Sequence, residues 1–239
     1  MSEKEDARAF LDDLQQRLAK QPDLASPREL DRHIRETNAD AKTVHARRHL
    51  RLPESAFLNQ YVLPELFAAV TEYAGLEDDD ARCALLNEYY PSMPGLSVTT
   101  PARTAKHPFT KVLGARPSDV YEDWSKGKRV QSCPDFALRA PFPHKIVFEG
   151  KYFAAKGTQA RAEREIATDI YQAFFYRGLS SLPAKKKRAA WDYDYACLVA
   201  YDASRDGTLR EAWRALPHKV RKSFWDDANL YVMILRGDE

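Results

Sequence analysis

The chain has 239 residues, of which 44% are hydrophobic and 30% charged, and its formal net charge is +2. This length and apolar content allow one large domain, or one domain with a helical extension, and exclude a chain that is disordered throughout. Three cysteines without a close pair exclude a disulfide framework and a zinc site built on paired cysteines.

The first residues contain no apolar stretch like that of a secretion signal, and no run of eighteen apolar residues occurs. These features predict a soluble, cytoplasmic protein with no membrane partner. Glycine-rich phosphate-binding motifs are not found, so we expect no nucleotide cofactor.

Two regions are predicted from the distribution of polar and apolar residues. Residues 1–52 are polar and should form an N-terminal helical arm or subdomain, with a first amphipathic helix near 5–20. Residues 53–239 should form the main domain. Its first helix is predicted over 53–74, where a proline opens the helix and a glycine follows its end. A second helix is predicted over 78–90.

The later part of the chain alternates between strand-like and helix-like patterns. The predicted strands are 130–138, 145–153, 193–201 and 230–235, and the predicted helices are 158–176 and 209–216. This order predicts an α/β or α+β protein with a sheet covered by helices.

The residues with the clearest chemistry lie on the first two of these strands. Pro134-Asp135 is on one, and Glu149-Gly150-Lys151 is on the next. Glu149 and Lys151 are two residues apart, so in a strand both side chains point to one face. Carboxylates are hard oxygen ligands suited to Mg²⁺, and the Gly150 carbonyl could serve as a further ligand. A bound cation beside an ammonium is what phosphodiester hydrolysis requires.

This arrangement resembles the PD-(D/E)XK nuclease superfamily, which includes type II restriction enzymes and several repair and recombination nucleases. Pro134-Asp135 matches its first element and Glu149-Gly150-Lys151 its second, with thirteen residues between them. The resemblance covers about residues 80–202. It implies an αβββαβ core, with a central mixed sheet flanked by helices, carrying an N-terminal helical extension.

The resemblance also implies a function. The chain would be a Mg²⁺- or Mn²⁺-dependent endodeoxyribonuclease, most like a type II restriction endonuclease or a related prokaryotic defence nuclease, acting as a homodimer on DNA. Asp135 and Glu149 would hold the metal, and Lys151 would orient or help deprotonate the attacking water. An acidic residue from an upstream helix often completes such sites. Glu88 is the first candidate for it, and Glu65 is the second.

Two alternative functions remain open. Gln172 and Tyr176 are four residues apart on the helix after the motif, so they share a face. Such a pair resembles the RecB-like exonuclease branch, where it lines the site, although an ordinary amphipathic helix explains it equally well. The other alternative is a non-catalytic DNA-binding protein on a degenerate nuclease fold.

Positive charge is concentrated around the motif. Residues 103–164 contain thirteen Lys or Arg and six Asp or Glu, a local excess of +7. This excess fits contact with a phosphate backbone, and it also fits a solvated basic face. The candidate DNA-binding residues are Lys126, Lys128, Arg129, Gln159, Arg161, Arg164, Lys185, Lys186 and Lys187.

Overall fold

A computed structural model of the chain describes residues 2–24, 26, 30, 32, 53–87, 135–153, 159–178, 193–204 and 206–236. Seven α-helices occur in these residues: α1 Glu3–Ala19, α2 Pro53–Phe57, α3 Leu63–Ala74, α4 Asp78–Ala84, α5 Gln159–Gly178, α6 Thr208–Ala215 and α7 His218–Asp226. A 3₁₀ turn spans Pro22–Leu24, and a π-helical turn, Leu58–Val62, joins α2 to α3. No helix in this described part of the chain is long and apolar enough to cross a membrane.

One mixed sheet lies at the centre of the described residues. Its strands are β1 Leu85–Asn87, β2 Phe136–Leu138, β3 Ile146–Phe153, β4 Tyr195–Asp202 and β5 Leu230–Leu235. They lie side by side in chain order. The pairs β1–β2 and β2–β3 are antiparallel, whereas β3–β4 and β4–β5 are parallel. The α/β class is thereby confirmed.

The two faces of β3 meet different layers of helices. Ile146 and Phe148 belong to the larger core, which also contains the apolar residues of α1 and α3. Phe153 belongs to a second cluster with Ala162 and Ile166 of α5. Because side chains alternate along a strand, the odd-numbered residues of β3 share the face that α5 covers. This face carries both charged residues of the motif.

The turn between β2 and β3 is packed against α1. The ring of Phe142 lies 4.8 Å from that of Phe10, and Nε2 of the buried His144 lies 3.2 Å from Asp6 Oδ2. Tyr73 of α3 contacts Phe10, Phe142 and His144. The N-terminal helix therefore contributes to the same core as the sheet, and it supports the hairpin that carries the motif.

Most of the predicted elements are confirmed where the structure describes them, one prediction is wrong and one helix was missed. Of the strand predicted over 130–138, Phe136–Leu138 is confirmed, and residues 130–134 lie outside the described residues. The helix expected over 78–90 ends at Ala84, because Leu85–Asn87 pairs with β2 as a strand. The helix His218–Asp226 was not predicted at all. The sequence carried a signal for it, because Val220 and Phe224 are four residues apart and Trp225, the buried side chain of this helix, follows.

The π turn interrupts what the sequence predicts as one regular helix over 53–74. The Leu63 N–H bonds to the Leu58 carbonyl, five residues back, instead of the usual four. Pro64 follows at once, and its missing N–H leaves a gap in the helical hydrogen bonds at this point. An extra residue in the turn rotates α2 relative to α3 by about 100°. The two helices therefore present different faces to the sheet.

Gly150 lies where the π turn approaches β3. A Cβ atom built on Gly150 would lie 2.1 Å from Cδ2 and 2.9 Å from Cγ of Leu58. Leu58 is fully buried, so its side chain has little room to move away. Only glycine fits between the two strand residues Glu149 and Lys151 without displacing Leu58.

We expect Gly150→Ala to destabilise the fold by about 1–3 kcal/mol through overpacking. Leu58→Ala alone should cost about 2–5 kcal/mol, but it removes the atoms that the new methyl group would meet. In the Leu58→Ala background, Gly150→Ala should therefore cost less than half as much as in the wild type. Urea unfolding of the four proteins measures this; equal costs in both backgrounds would contradict the packing described.

Candidate active site

The register of β2 and β3 brings two acidic residues together. Phe136 pairs with Phe148 in an antiparallel register. Asp135, one residue before Phe136, therefore lies opposite Glu149, one residue after Phe148. Facing residues of an antiparallel pair project from the same side of the sheet. Asp135 is 4% exposed and Glu149 is 3% exposed. The backbone N–H of Gly150 donates a hydrogen bond of 2.7 Å to Asp135 Oδ2, which fixes the orientation of this carboxylate.

Lys151 lies on the same face, two residues beyond Glu149. Its Nζ is 2.8 Å from Glu149 Oε1 and 3.7 Å from Glu54 Oε1. The side chain of Lys151 is 22% exposed, so its ammonium is close to the protein surface. Glu54 comes from the first turn of α2. One ammonium is therefore held between a carboxylate of the sheet and a carboxylate of a helix.

Burial dominates the electrostatics of Glu149. It raises the pKa of this carboxyl group well above its ordinary value; the Lys151 ammonium opposes the rise, and the Asp135 carboxylate adds to it. Glu149 Oε1 contacts Lys151, whereas the buried Oε2 has no hydrogen-bond partner among the described residues. A buried oxygen without a partner is costly, so this atom is suited to accept a ligand.

Lys151 remains charged in this environment. Burial acts to lower the pKa of its ammonium, but the nearby Glu149 and Glu54 carboxylates raise it more. Asp135 and Asp169 raise it further. The pKa of Lys151 is therefore well above its ordinary value, and the residue brings a permanent positive charge to the site.

Asp169 of α5 is a fourth acidic residue near Lys151. It is 8% exposed, and burial raises its pKa from 3.8 to about 7. The Lys151 ammonium opposes this rise, whereas the Glu54 carboxylate adds to it. Within the part of the chain that the structure describes, four carboxyl groups thus surround the single ammonium of Lys151. Three of these groups, those of Asp135, Glu149 and Asp169, are buried, and buried acidic groups in excess of the available positive charge favour the binding of a cation.

The donor set for a metal is small. Among the described residues, no three His, Cys, Asp or Glu side chains gather in an arrangement that could hold an ion. Asp135 and Glu149 remain as a facing pair, and Mg²⁺ commonly needs only one or two carboxylates because it keeps several of its waters. The unpartnered Glu149 Oε2 fits such an ion.

The upstream acidic residue differs from the candidates taken from the sequence. Glu88 was assigned to a helix that ends at Ala84, and the residue itself lies outside the described residues. Glu65 accepts a hydrogen bond of 2.9 Å from Gln21, at the end of α1. Glu54 is the residue that reaches Lys151. Its place in the first turn of a helix was visible in the sequence, but its distance from β3 was not.

Asp169 was also missed, although the sequence contained a signal. It lies between Ile166 and Ala173 at helical spacing, so an acidic residue occupies the apolar stripe of α5. Gln172, three residues after Asp169, is partly buried on the flank of this stripe. The Tyr176 side chain lies outside the described residues.

Two of the nine candidate DNA-binding residues, Gln159 and Arg164, have side chains that the structure describes. Gln159 is exposed at the start of α5, where it donates a hydrogen bond to Glu163. Arg164 is exposed and follows the buried Ala162 by two residues, which puts it on the face opposite the sheet. The side chain of Arg161 lies outside the described part of the structure. The remaining six candidates lie entirely outside the described residues: Lys126, Lys128, Arg129, Lys185, Lys186 and Lys187.

No family model matches the chain, and no curated protein or solved structure matches it.

Asp169→Asn should change the pH dependence of stability. Because each pKa unit corresponds to about 1.4 kcal/mol, a rise from 3.8 to about 7 corresponds to roughly 4 kcal/mol. The folded state holds this proton more tightly than the unfolded state, so its contribution is complete below pH 3.8 and is lost as the pH rises through about 7.

We therefore expect Asp169→Asn to match the wild type near pH 4 and to exceed it in stability at pH 8, by up to about 4 kcal/mol. Urea unfolding across this range measures the difference. Asp227→Asn, an exposed position after α7, is the matched control and should show no such trend. A difference that does not change with pH would contradict the burial of an ionisable Asp169.

Proposed function

We propose that the chain is a metal-dependent nuclease that hydrolyses DNA phosphodiester bonds, with Asp135, Glu149 and Lys151 as its central residues. The observation that carries this proposal is the facing pair of buried carboxylates with a lysine on the same side of β3. These three groups are the ones that the PD-(D/E)XK resemblance assigns to catalysis.

Asp135 and Glu149 would hold Mg²⁺ or Mn²⁺, and the Gly150 carbonyl could add a ligand. The bound ion would supply Lewis-acid polarisation and lower the pKa of a coordinated water. The Gly150 N–H holds Asp135 by one oxygen and so limits its rotation. Glu149 has an oxygen without a hydrogen-bond partner. Both features support a preformed site.

Lys151 would act on the phosphate. Its side chain is 22% exposed, whereas Asp135 and Glu149 beside it on the sheet are buried. Of these three residues, Lys151 would therefore be the one that a phosphate approaching from solvent reaches first. During hydrolysis the ammonium would stabilise the negative charge that develops on the phosphate oxygens, and it would help to orient the attacking water.

The order of elements supports the same family. Among the described residues, the elements from α4 to β4 follow the order α, β, β, β, α, β, as in a PD-(D/E)XK core. Cleavage of both strands of a duplex by a type II restriction endonuclease or a related defence nuclease would require two copies, since each site serves one strand. A homodimer is therefore part of the proposal.

A RecB-like exonuclease is the second candidate, because Gln172 flanks the stripe of α5 that contains Asp169. The products separate the two candidates. An endonuclease converts closed circular plasmid to open and linear forms, whereas an exonuclease needs an end and releases mononucleotides or short oligomers.

The wild-type protein should cleave DNA in the presence of Mg²⁺, and removal of the metal by EDTA should abolish the activity. Asp135→Asn, Glu149→Gln and Lys151→Gln should each lower the single-turnover rate by at least about 100-fold, because the first two remove a charge that would hold the metal and the third removes the charge that would act on the phosphate. Gel analysis of plasmid, linear duplex and single-stranded DNA measures this.

The matched controls are Asp227→Asn and Lys219→Gln, both exposed and near α7, and both should cleave at the wild-type rate. If all three DNA substrates stay intact with Mg²⁺ and with Mn²⁺, the nuclease proposal is wrong. It is also wrong if the Asp135 and Lys151 variants cleave as fast as the wild type. A Mg²⁺-independent DNA complex without cleavage would support the non-catalytic alternative.

A further inference from the structure

Asp169 lies in an unusual place for a charged residue. The buried stripe of α5 that packs on the sheet contains Ala162, Ile166, Asp169 and Ala173, so one carboxyl group interrupts an apolar row. A structural role would be served as well by another apolar residue, and at lower cost, because a buried carboxylate is expensive unless a cation offsets it. This stripe packs on the face of β3 that carries Lys151, because Ala162 and Ile166 contact Phe153 two residues further along the strand. Among the described residues, the Lys151 ammonium is the positive charge that acts on Asp169.

The surroundings of Lys151 explain what a second acidic contact could do. Among the described residues, its closest acidic partner is Glu149 Oε1, at 2.8 Å. A divalent cation held by Glu149 would compete for this carboxylate and repel the ammonium. Glu54 lies 3.7 Å from the ammonium and is 35% exposed, so solvent weakens that contact. Asp169 is almost completely buried and is therefore screened less.

We propose that Asp169 is a positioning residue, whose carboxylate keeps the Lys151 ammonium at the site when Glu149 is engaged by a divalent cation. This inference rests on the proposed nuclease function. Asp169 acts through Lys151 and from α5, so it does not need to touch the metal or the DNA. The packing of its stripe against β3 fixes the distance between the two charges.

The first test measures the interaction without DNA. The wild type, Asp169→Asn, Lys151→Gln and the double variant are unfolded in urea at pH 8. Removal of the Asp169 charge should stabilise both backgrounds. The stabilisation should be larger in the Lys151→Gln background, because Asp169 has lost its cation there. In that background, Asp169→Asn should lower the unfolding equilibrium constant by a factor at least three times as large as in the wild-type background. Equal effects in both backgrounds would mean that the two residues do not interact, and would overturn the proposal.

The second test separates a positioning role from a structural one. Single-turnover cleavage is measured at pH 8 over a range of Mg²⁺ concentrations. Asp169→Asn should lower the maximal rate at least tenfold although it stabilises the fold, and the Mg²⁺ midpoint should stay within about twofold of the wild type. Asp169→Glu restores the charge and should recover most of the rate. The matched control, Asp227→Asn, should behave like the wild type.

Each other outcome overturns the inference in a distinct way. If the wild type cleaves and Asp169→Asn cleaves equally fast, the nuclease function stands and Asp169 has no part in it. If the Mg²⁺ midpoint rises in parallel with the loss of rate, Asp169 acts on the metal and not through Lys151. If the wild type cleaves no DNA, the nuclease proposal fails and the positioning role falls with it.

Discussion

The site is organised by an excess of buried carboxylates around one ammonium. Lys151 contacts Glu149 and Glu54 and interacts with Asp135 and Asp169, so it cannot neutralise all of its neighbours. Burial of acidic groups costs free energy unless a cation compensates it, and the raised pKa of Glu149 expresses this cost. A fold whose only task was stability would gain by replacing these groups with apolar residues. If the fold binds a divalent cation, the cation compensates the cost of these buried acidic groups.

The rest of the structure serves to hold these charges in register. Antiparallel pairing with β2 fixes Asp135 opposite Glu149, and parallel pairing with β4, which in turn pairs with β5, holds the other edge of β3. The turn between β2 and β3 is anchored on α1 through Phe142 and His144. On one face, the π turn presses against Gly150 and α2 brings Glu54; on the other, α5 brings Asp169. Acidic groups thus reach Lys151 from both helical layers.

The sequence predicted the parts of the fold that depend on local patterns. Strands β3, β4 and β5 and helix α5 carry long apolar or periodic stretches, and the structure confirms them. The strand Leu85–Asn87 was expected to be helical, because its leucines favour a helix locally and only pairing with β2 makes it extended. The π turn was invisible for a related reason: its residues keep the apolar spacing of an ordinary helix.

The same contrast between local sequence patterns and tertiary packing applies to the residues of the site. Asp135, Glu149 and Lys151 were found because their alternation along two strands is a local pattern. Glu54 could not be found, because its approach to Lys151 depends on how α2 packs against β3 across almost a hundred residues of chain. Asp169 was detectable as an acidic residue in an apolar stripe. Its partner, however, became evident only from the packing of α5 on the sheet.

Calorimetric titration of Mg²⁺ into the wild type at pH 7 tests the central claim most directly. The account predicts saturable binding, because the buried carboxyl groups of Asp135 and Glu149 face each other and Glu149 Oε2 has no hydrogen-bond partner among the described residues. The binding should disappear in Glu149→Gln. Absence of binding to the wild type, or equal binding to the Glu149→Gln variant, would contradict the account.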